Sequence, residues 1–278
     1  MSQAQLEFQR SFYDRHYPRR MAATLDQLAH PLFRSFYDRL AQRVLDQADT
    51  PAGTSIRVFE AGCGEGFLAA ALARVAAQRG VSVEYIGADL SNGALDLARQ
   101  SGVTTDLMLG DATETTAQLL AGSQDVVIAK NLLHHLDDPT AFLTEAARAV
   151  GPGGKVVVIE PLLGCPHIWV FNALAFRRER HYFRGQKRNL SAFREAGLAV
   201  ENGQRFSWLP WELMLYIRPS VFRRLLSTTN ERTIGRIGRF DDWLTSRIPW
   251  TAAYVVWTVT PENVHDGEPR PAPSTTAR

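Results

Sequence analysis

Between Ile56 and Glu160 the apolar residues fall into five short runs, "IRVFE", "VEYIGAD", "TDLMLG", "DVVIAK" and "KVVVIE", each of strand length. Between them lie "GFLAAALARVAAQRG", "SNGALDLARQSG" and "DPTAFLTEAARAVGPGG", where apolar residues recur at helical spacing. This alternation predicts an α/β fold, a doubly wound and mostly parallel sheet with helices on both faces. "GPGG", Gly151 to Gly154, ends a helix and turns the chain into the fifth strand.

Outside this stretch the pattern loosens. Residues 1–49 are polar and aromatic at mixed spacing and predict two or three amphipathic helices broken near Pro18 and Pro31, and residues 1–50 are expected to form part of a lid. "SFYDR" begins at both Ser11 and Ser35, and reads as two helix turns with similar packing needs rather than as a repeat array. After Glu160, residues 161–190 are aromatic and basic, "SAFREAGL" reads as a helix, "AVENGQRFSWL" as a sixth strand and "TAAYVVWTV" as a seventh. The intervening "PWELMLYIRPSVFRRLL" is too apolar for a loose loop and predicts a helical insertion over one sheet edge. The main domain then spans 51–260 with cap insertions at about 161–190 and 207–248, and the Pro-, Ser- and Thr-rich stretch 261–278 reads as a disordered tail.

Composition narrows the partners. With 278 residues and 45% apolar content the chain can fill a sizeable core. A formal charge of +2 provides no global field for holding nucleic acid, so no nucleic-acid partner is expected. Two cysteines, Cys63 and Cys165, make neither a disulfide framework nor a zinc site, the start "MSQAQLEFQR" lacks the apolar core of a signal peptide, and no run is long enough to span a membrane. A cytoplasmic location is the expectation.

The densest chemistry lies in "EAGCGEGF", Glu60 to Phe67, at the end of the first strand. Glycines at 62, 64 and 66 allow a sharp turn and close approach of a ligand to the backbone. A dinucleotide fingerprint would place its third glycine at 67, where this chain has Phe67, which argues against a nicotinamide enzyme. Asp89 ends the second strand, where a carboxylate can accept both hydroxyls of a ribose, and Asp111 follows the third. An acid after one strand is usually a helix cap or turn former. A glycine turn and two acids closing three successive strands point instead to a nucleoside cofactor.

The ordered set "EAGCGEG", "GADLS", "GDATE", "DVVIAKNLLHHLDDP" and "AVGPGGKVVVIEP" resembles the class I S-adenosylmethionine-dependent methyltransferases, over about Ile56 to Glu160 plus the final strand. The resemblance implies a seven-stranded Rossmann-like sheet whose last strand is antiparallel, with S-adenosyl-L-methionine lying across the carboxyl ends of strands one to four. It further implies that Gly62 and Gly64 approach the methionine part and that Glu60 is the first acid of the motif. Asp89, with Leu90 beside it, takes the ribose, Asp111 and Ala112 face the adenine, and the backbone near Lys130 helps hold the amino group.

Methyl transfer from a sulfonium is an in-line displacement, in which alignment and exclusion of water supply most of the rate. A phenol or alcohol acceptor must also lose a proton, a task suited to histidine. "NLLHHLDDP" offers His134 and His135 as catalytic candidates, His134 first, with Leu133 and Leu136 as anchors and Glu160 as the next candidate base. Adjacent histidines rarely ligate one ion, and no metal site is expected. "KNLL" differs from the Asn/Asp-Pro-Pro-aromatic pattern typical of enzymes that methylate nucleic-acid bases or glutamine amides. A small-molecule acceptor follows, with O-methylation in natural-product or lipid-like metabolism ahead of N- or C-methylation. A noncatalytic S-adenosylmethionine-binding regulatory partner is the reading from another class. Aromatics of the cap, among them Trp169, Phe176, Trp208 and Trp211, can wall a lipophilic pocket, and "RRERHYFRGQKR", Arg177 to Arg188, can meet an anion or a membrane surface. Oligomeric state is left open.

Overall fold

The computed structural model describes residues 4–15, 31–100, 102, 106–162, 164–165, 168, 185–208 and 230–262. Seven strands form one sheet: β1 (Ser55–Ala61), β2 (Ser82–Asp89), β3 (Asp106–Leu109), β4 (Val126–Lys130), β5 (Lys155–Pro161), β6 (Leu198–Phe206) and β7 (Tyr254–Pro261). Their order is β3-β2-β1-β4-β5-β7-β6. Neighbouring strands from β3 through β5 are parallel, whereas β7 runs antiparallel to both β5 and β6. The order reverses between β1 and β4, and a doubly wound sheet opens a crevice at the carboxyl ends of its strands at such a point.

The helices are α1 (residues 4–15), α2 (Pro31–Gln47), α3 (Phe67–Gln78), α4 (Asn92–Gln100), α5 (Ala112–Ala117), α6 (Pro139–Val150), α7 (Gln186–Glu195) and α8 (Glu231–Arg247). One core layer packs α2, α3, Leu95 of α4 and Ile234 of α8 on the sheet face carrying Ile56, Val58, Ile128 and Ile159. The opposite layer packs α6 and α7 on Phe59, Val127, Val158 and Val255. Strands β1, β4 and β5 are covered on both faces, which explains why their central residues are apolar in near-continuous runs such as Val126–Ala129 and Val156–Ile159 rather than alternating.

Two sequence expectations need correction. The "SFYDR" copies do not share packing needs. Phe36 and Tyr37 of the second copy are buried in the core, whereas Phe12 and Tyr13 of the first are only partly buried. In addition, "ATETTA", to which no helix was assigned, forms α5, because the Asp111 carboxylate caps it by accepting the Thr113 and Glu114 N–H groups.

The lid expected over residues 1–50 divides: α1 approaches the crevice, while α2 buries Leu32, Phe36, Leu40 and Val44 in the core. At the other end, Pro261 still pairs with Leu198 in the β6–β7 ladder. Residues 263–278, assigned to the tail, lie outside the described residues, as do most of the cap aromatics, including Trp169, Phe176 and Trp211, and the basic run Arg177 to Arg184.

Candidate functional site

The crevice is built from the turns that follow β1, β2 and β4. After Ala61 the backbone enters the left-handed region at Gly62, Gly64 and Gly66, with φ of 70°, 54° and 75°. Three such residues so close together are tolerated only without side chains. Close packing adds a second requirement at Gly62, where a Cβ would lie 3.2 Å from Leu132 Cδ1. The Cys63 N–H donates to Ala88 O at 2.9 Å and ties the turn to β2. Gly87 makes room for this, since a Cβ there would meet Cys63 Sγ, Leu107 and Tyr85 at 3.0 Å.

Asp89 locks the glycine turn from the side. Its Oδ2 accepts the Gly64 N–H at 2.9 Å and its Oδ1 accepts the Ser91 N–H at 2.9 Å. A carboxylate offers about four acceptor positions, so these bonds leave capacity for a diol. Burial is the main reason that the Asp89 carboxyl is raised to about 6; the backbone N–H groups of Ser91 and Gly64 oppose the rise, and the nearby Asp14 carboxylate adds to it. Glu60 is buried beneath the same turn and accepts the Tyr85 hydroxyl at 2.6 Å. Burial lifts Glu60 to about 7, against the pull of that hydrogen bond and of Lys130. Lys130 Nζ itself sits 5.5 Å from the centre of the Tyr37 ring. Buried Asp111 holds the start of α5 with Ala112 beside it, as described above, and Leu90 follows Asp89 in the partly exposed rim.

At the end of β4, Asn131 adopts φ 51°, which Asn tolerates better than most residues, and the chain bends into a 3-10 turn, Leu133–His135. Leu133 and Leu136 are buried and anchor that turn, as their spacing implied. The turn is built around Glu160, at the end of neighbouring β5. Glu160 Oε1 accepts the N–H groups of Leu132 and Leu133, each at 2.9 Å, and Oε2 lies 2.7 Å from His134 Nδ1. Glu160 already accepts two backbone N–H groups, and as acceptor of this contact too it makes Nδ1 the donor and leaves Nε2 as the acceptor nitrogen of the ring.

The two histidines are held by different parts of the chain. His135 faces α1, with Nδ1 3.4 Å from Gln9 Nε2 and Nε2 3.4 Å from the Tyr13 hydroxyl. Gln9 also donates to the His135 carbonyl at 3.3 Å. One helical turn along, Asp14 Oδ1 accepts the Ser91 hydroxyl at 2.7 Å and the Gly93 N–H at 3.4 Å. Helix α1 therefore spans from the β4 turn to the start of α4. Sequence reasoning missed Gln9, Tyr13, Asp14 and Ser91; the first "SFYDR" was the available signal, because its Tyr and Asp are the two residues that reach the crevice.

Among the described residues, no group of three or more His, Cys, Asp or Glu side chains is placed to hold a metal ion. The donor set suits a cationic nucleoside cofactor: a side-chain-free turn for close backbone approach, and beside it a carboxylate with acceptor capacity to spare.

The strand order with one antiparallel member, the glycine turn and the acids at successive strand ends define a nucleoside-binding enzyme of the doubly wound α/β class. Residues 59–158 match the family described as "Methyltransferase domain". The chain is 29% identical over 174 residues to a ubiquinone biosynthesis O-methyltransferase of Xanthomonas axonopodis pv. citri, covering 58% of this chain and 69% of that one. It is 39% identical over 104 residues to the protein of the same name from Thiobacillus denitrificans, covering 36% and 42%. The chain thus spans about two thirds of the first relative's length and under half of the second's. The structure of the geranyl diphosphate C-methyltransferase from Streptomyces coelicolor A3(2), which holds S-adenosyl-L-homocysteine, superposes with a TM-score of 0.53 at 17% identity, over 80% of this chain and 78% of that one. Residues 59–158 thus carry a methyltransferase domain, and the comparisons together support a class I S-adenosylmethionine-dependent methyltransferase with S-adenosyl-L-methionine as cofactor.

Proposed function

We propose that the protein transfers the cofactor's methyl group to a hydroxyl of a small, lipophilic, phenol-like acceptor, with His134 as the base that removes the hydroxyl proton. The carrying observation is the 2.7 Å contact between Glu160 and His134 Nδ1, which directs the proton to one nitrogen and makes the other the acceptor. A C-methylation at an already nucleophilic carbon has less need of such a base. The names of the relatives, which are O-methyltransferases of ubiquinone biosynthesis, support the same choice and favour a quinone-type phenol over a natural-product acceptor.

In this reading the residues divide the work. Gly62 and Gly64 let the backbone approach the methionine part, the Lys130 backbone takes part in holding its amino group, Asp89 with Leu90 holds the ribose, and Asp111 with Ala112 borders the adenine. Glu60 acts from beneath the turn. Bound there, S-adenosyl-L-methionine supplies an electrophilic methyl on a sulfonium. Glu160 is a positioning residue for His134, and stabilises the imidazolium formed when the ring accepts the acceptor's proton. His135 acts as a strut, tied to α1, and α1 closes over the crevice and keeps water from it.

The test is turnover of cofactor to S-adenosyl-L-homocysteine with a catechol bearing an apolar tail. His134→Ala lowers kcat by about 10²-fold or more with cofactor affinity kept, and Glu160→Gln by about 10-fold or more, because the amide no longer enforces the Nδ1 proton. His135→Ala has the smaller effect of the two histidine changes. Full activity in His134→Ala would remove the base from the scheme.

A further inference from the structure

Helix α8 (Glu231–Arg247) packs Ile234, Gly238, Asp241 and Thr245 against the body of the protein. At about 100° per residue these four define its inner face, and the opposite side carries Arg232, Arg236, Arg239, Phe240, Trp243 and Arg247, all exposed. Phe240 and Trp243 are 55% and 53% exposed, and Trp250, in the 3-10 turn that follows, is 69% exposed. Large aromatic residues left this open are unusual on a surface with no partner.

Two of the three acids of the helix are engaged elsewhere and do not offset its arginines. Asp241 and Asp242 turn inward to Arg39, and Asp242 also to Arg43, at 2.6 to 3.0 Å. None of Arg232, Arg236, Arg239 and Arg247 makes an ion pair with the described residues. Exposed Glu231 lies in the first turn, more than about 90° round the helix from the centre of this side, so the outer face is a cationic strip, about 25 Å long at 1.5 Å per residue, bearing aromatic rings and, among the described residues of the helix, no acid. The whole chain is close to neutral, so this field is local and directional.

We propose that the outer face of α8 docks the protein on an anionic lipid surface, lying in the plane of the headgroups with Phe240, Trp243 and Trp250 inserted among them and the four arginines on lipid phosphates. The combination of apolar rings with flanking cations is the composition of an interfacial helix. A single-stranded nucleic acid would also be drawn by the charge, but it needs open ring faces on which bases stack. Here Phe240 and Trp243 stack on each other, with centroids 5.8 Å apart and planes 29° apart. That arrangement shields one face of each ring while leaving the pair well suited to insertion. Among the described residues no helix is long and apolar enough to cross a membrane, so α8 would dock from one side only.

The test uses the full chain and vesicles of phosphatidylcholine alone or with phosphatidylglycerol, assayed by co-sedimentation. Binding is expected only with the anionic lipid and weakens as salt is raised. Arg236→Glu with Arg239→Glu should reduce it by at least about 30-fold, at about fivefold per basic residue, and Phe240→Ser with Trp243→Ser should reduce it without changing the salt dependence. Circular dichroism and S-adenosyl-L-methionine binding serve as fold controls, because all four positions are exposed and lie outside the crevice. Equal binding to both vesicle types, no binding to either, or full retention in the double arginine variant overturns the proposal. Tighter, saturable binding to a single-stranded oligonucleotide than to anionic vesicles overturns it as well and assigns the face to nucleic acid. Methyl transfer to a water-soluble catechol is measured alongside, so a failure of docking is separable from a failure of the O-methylation reading.

Discussion

Asp89 and Glu60 both sit at carboxylate positions of the cofactor crevice, yet they do different work. Asp89 keeps acceptor capacity beside the glycine turn, and in the proposed ribose-holding role its charge matters for binding. With its carboxyl raised to about 6, affinity for S-adenosyl-L-methionine should hold above about pH 7 and fall as the pH drops through that value, since a protonated carboxyl accepts fewer hydroxyls. Asp89→Asn, which retains one oxygen acceptor, should weaken binding by about 2 kcal/mol and flatten the pH dependence; calorimetry at pH 5.5 and 7.5 reads both. Glu60 affects stability instead. Its folded value of about 7 exceeds the ordinary 4.5, so the folded state holds the extra proton between those limits and stability declines as pH rises from about 4.5 to 7. Glu60→Gln keeps an acceptor for the Tyr85 hydroxyl and removes the titration. Relative to that variant, the natural protein should lose up to about 3 kcal/mol over this range and then level off, as denaturant melts at successive pH values would record.

At the scale of elements, the decisive contacts join segments distant in the chain. Helix α8 has an inner face of Ile234, Gly238, Asp241 and Thr245, too polar to hold by apolar burial alone, and depends on Arg39 of α2. Arg39 donates to Asp241 at 2.6 Å and to Asp242 at 3.0 Å, while Asp241 also accepts the Trp208 N–H. Arg39→Leu leaves the buried Asp241 charge uncompensated and should cost about 3 to 5 kcal/mol, seen as a lower Tm. Adding Asp241→Asn, which still accepts from Trp208, should return part of that loss. If Arg39→Leu is neutral, α8 is held by its apolar contacts and the ion pairs are incidental. Helix α1 is a similar case at a smaller scale: it meets the crevice through long hydrogen bonds to His135 and one short one from Ser91 to Asp14.

The whole molecule couples its parts through the crevice, because the turns after β1, β2 and β4, and α1 above them, meet there. A ligand bound there stabilises the folded state by RT ln(1 + [L]/Kd), about 2.7 kcal/mol at a hundred times Kd. S-adenosyl-L-methionine at that concentration should raise Tm by about 5 to 10 °C, and by less than half as much in Asp89→Asn at the same concentration. An undiminished shift in the variant would place the main cofactor contacts elsewhere. What the sequence by itself determined is local in origin. The five strand runs, the helices between them and the sixth and seventh strands are visible because apolar spacing records burial by neighbouring layers. The glycines at 62, 64 and 66 are visible because left-handed turns exclude side chains, and the anchoring of Leu133 and Leu136 follows from their spacing. Only the tertiary structure decided which side chains meet. Glu160 read as a spare base and becomes the partner of His134 because β4 and β5 are adjacent in the sheet. Asp111 carries a capping role that composition alone could not separate from a ligand role. The two "SFYDR" copies diverge, one in the core and one at the crevice, although their residues are the same. The polar inner face of α8 leaves no apolar stripe to read, and its outward arginines and rings become a surface only once Arg39 has drawn two of its acids inward. Pairing across tens or hundreds of residues is set by packing of whole elements, and no local pattern encodes it.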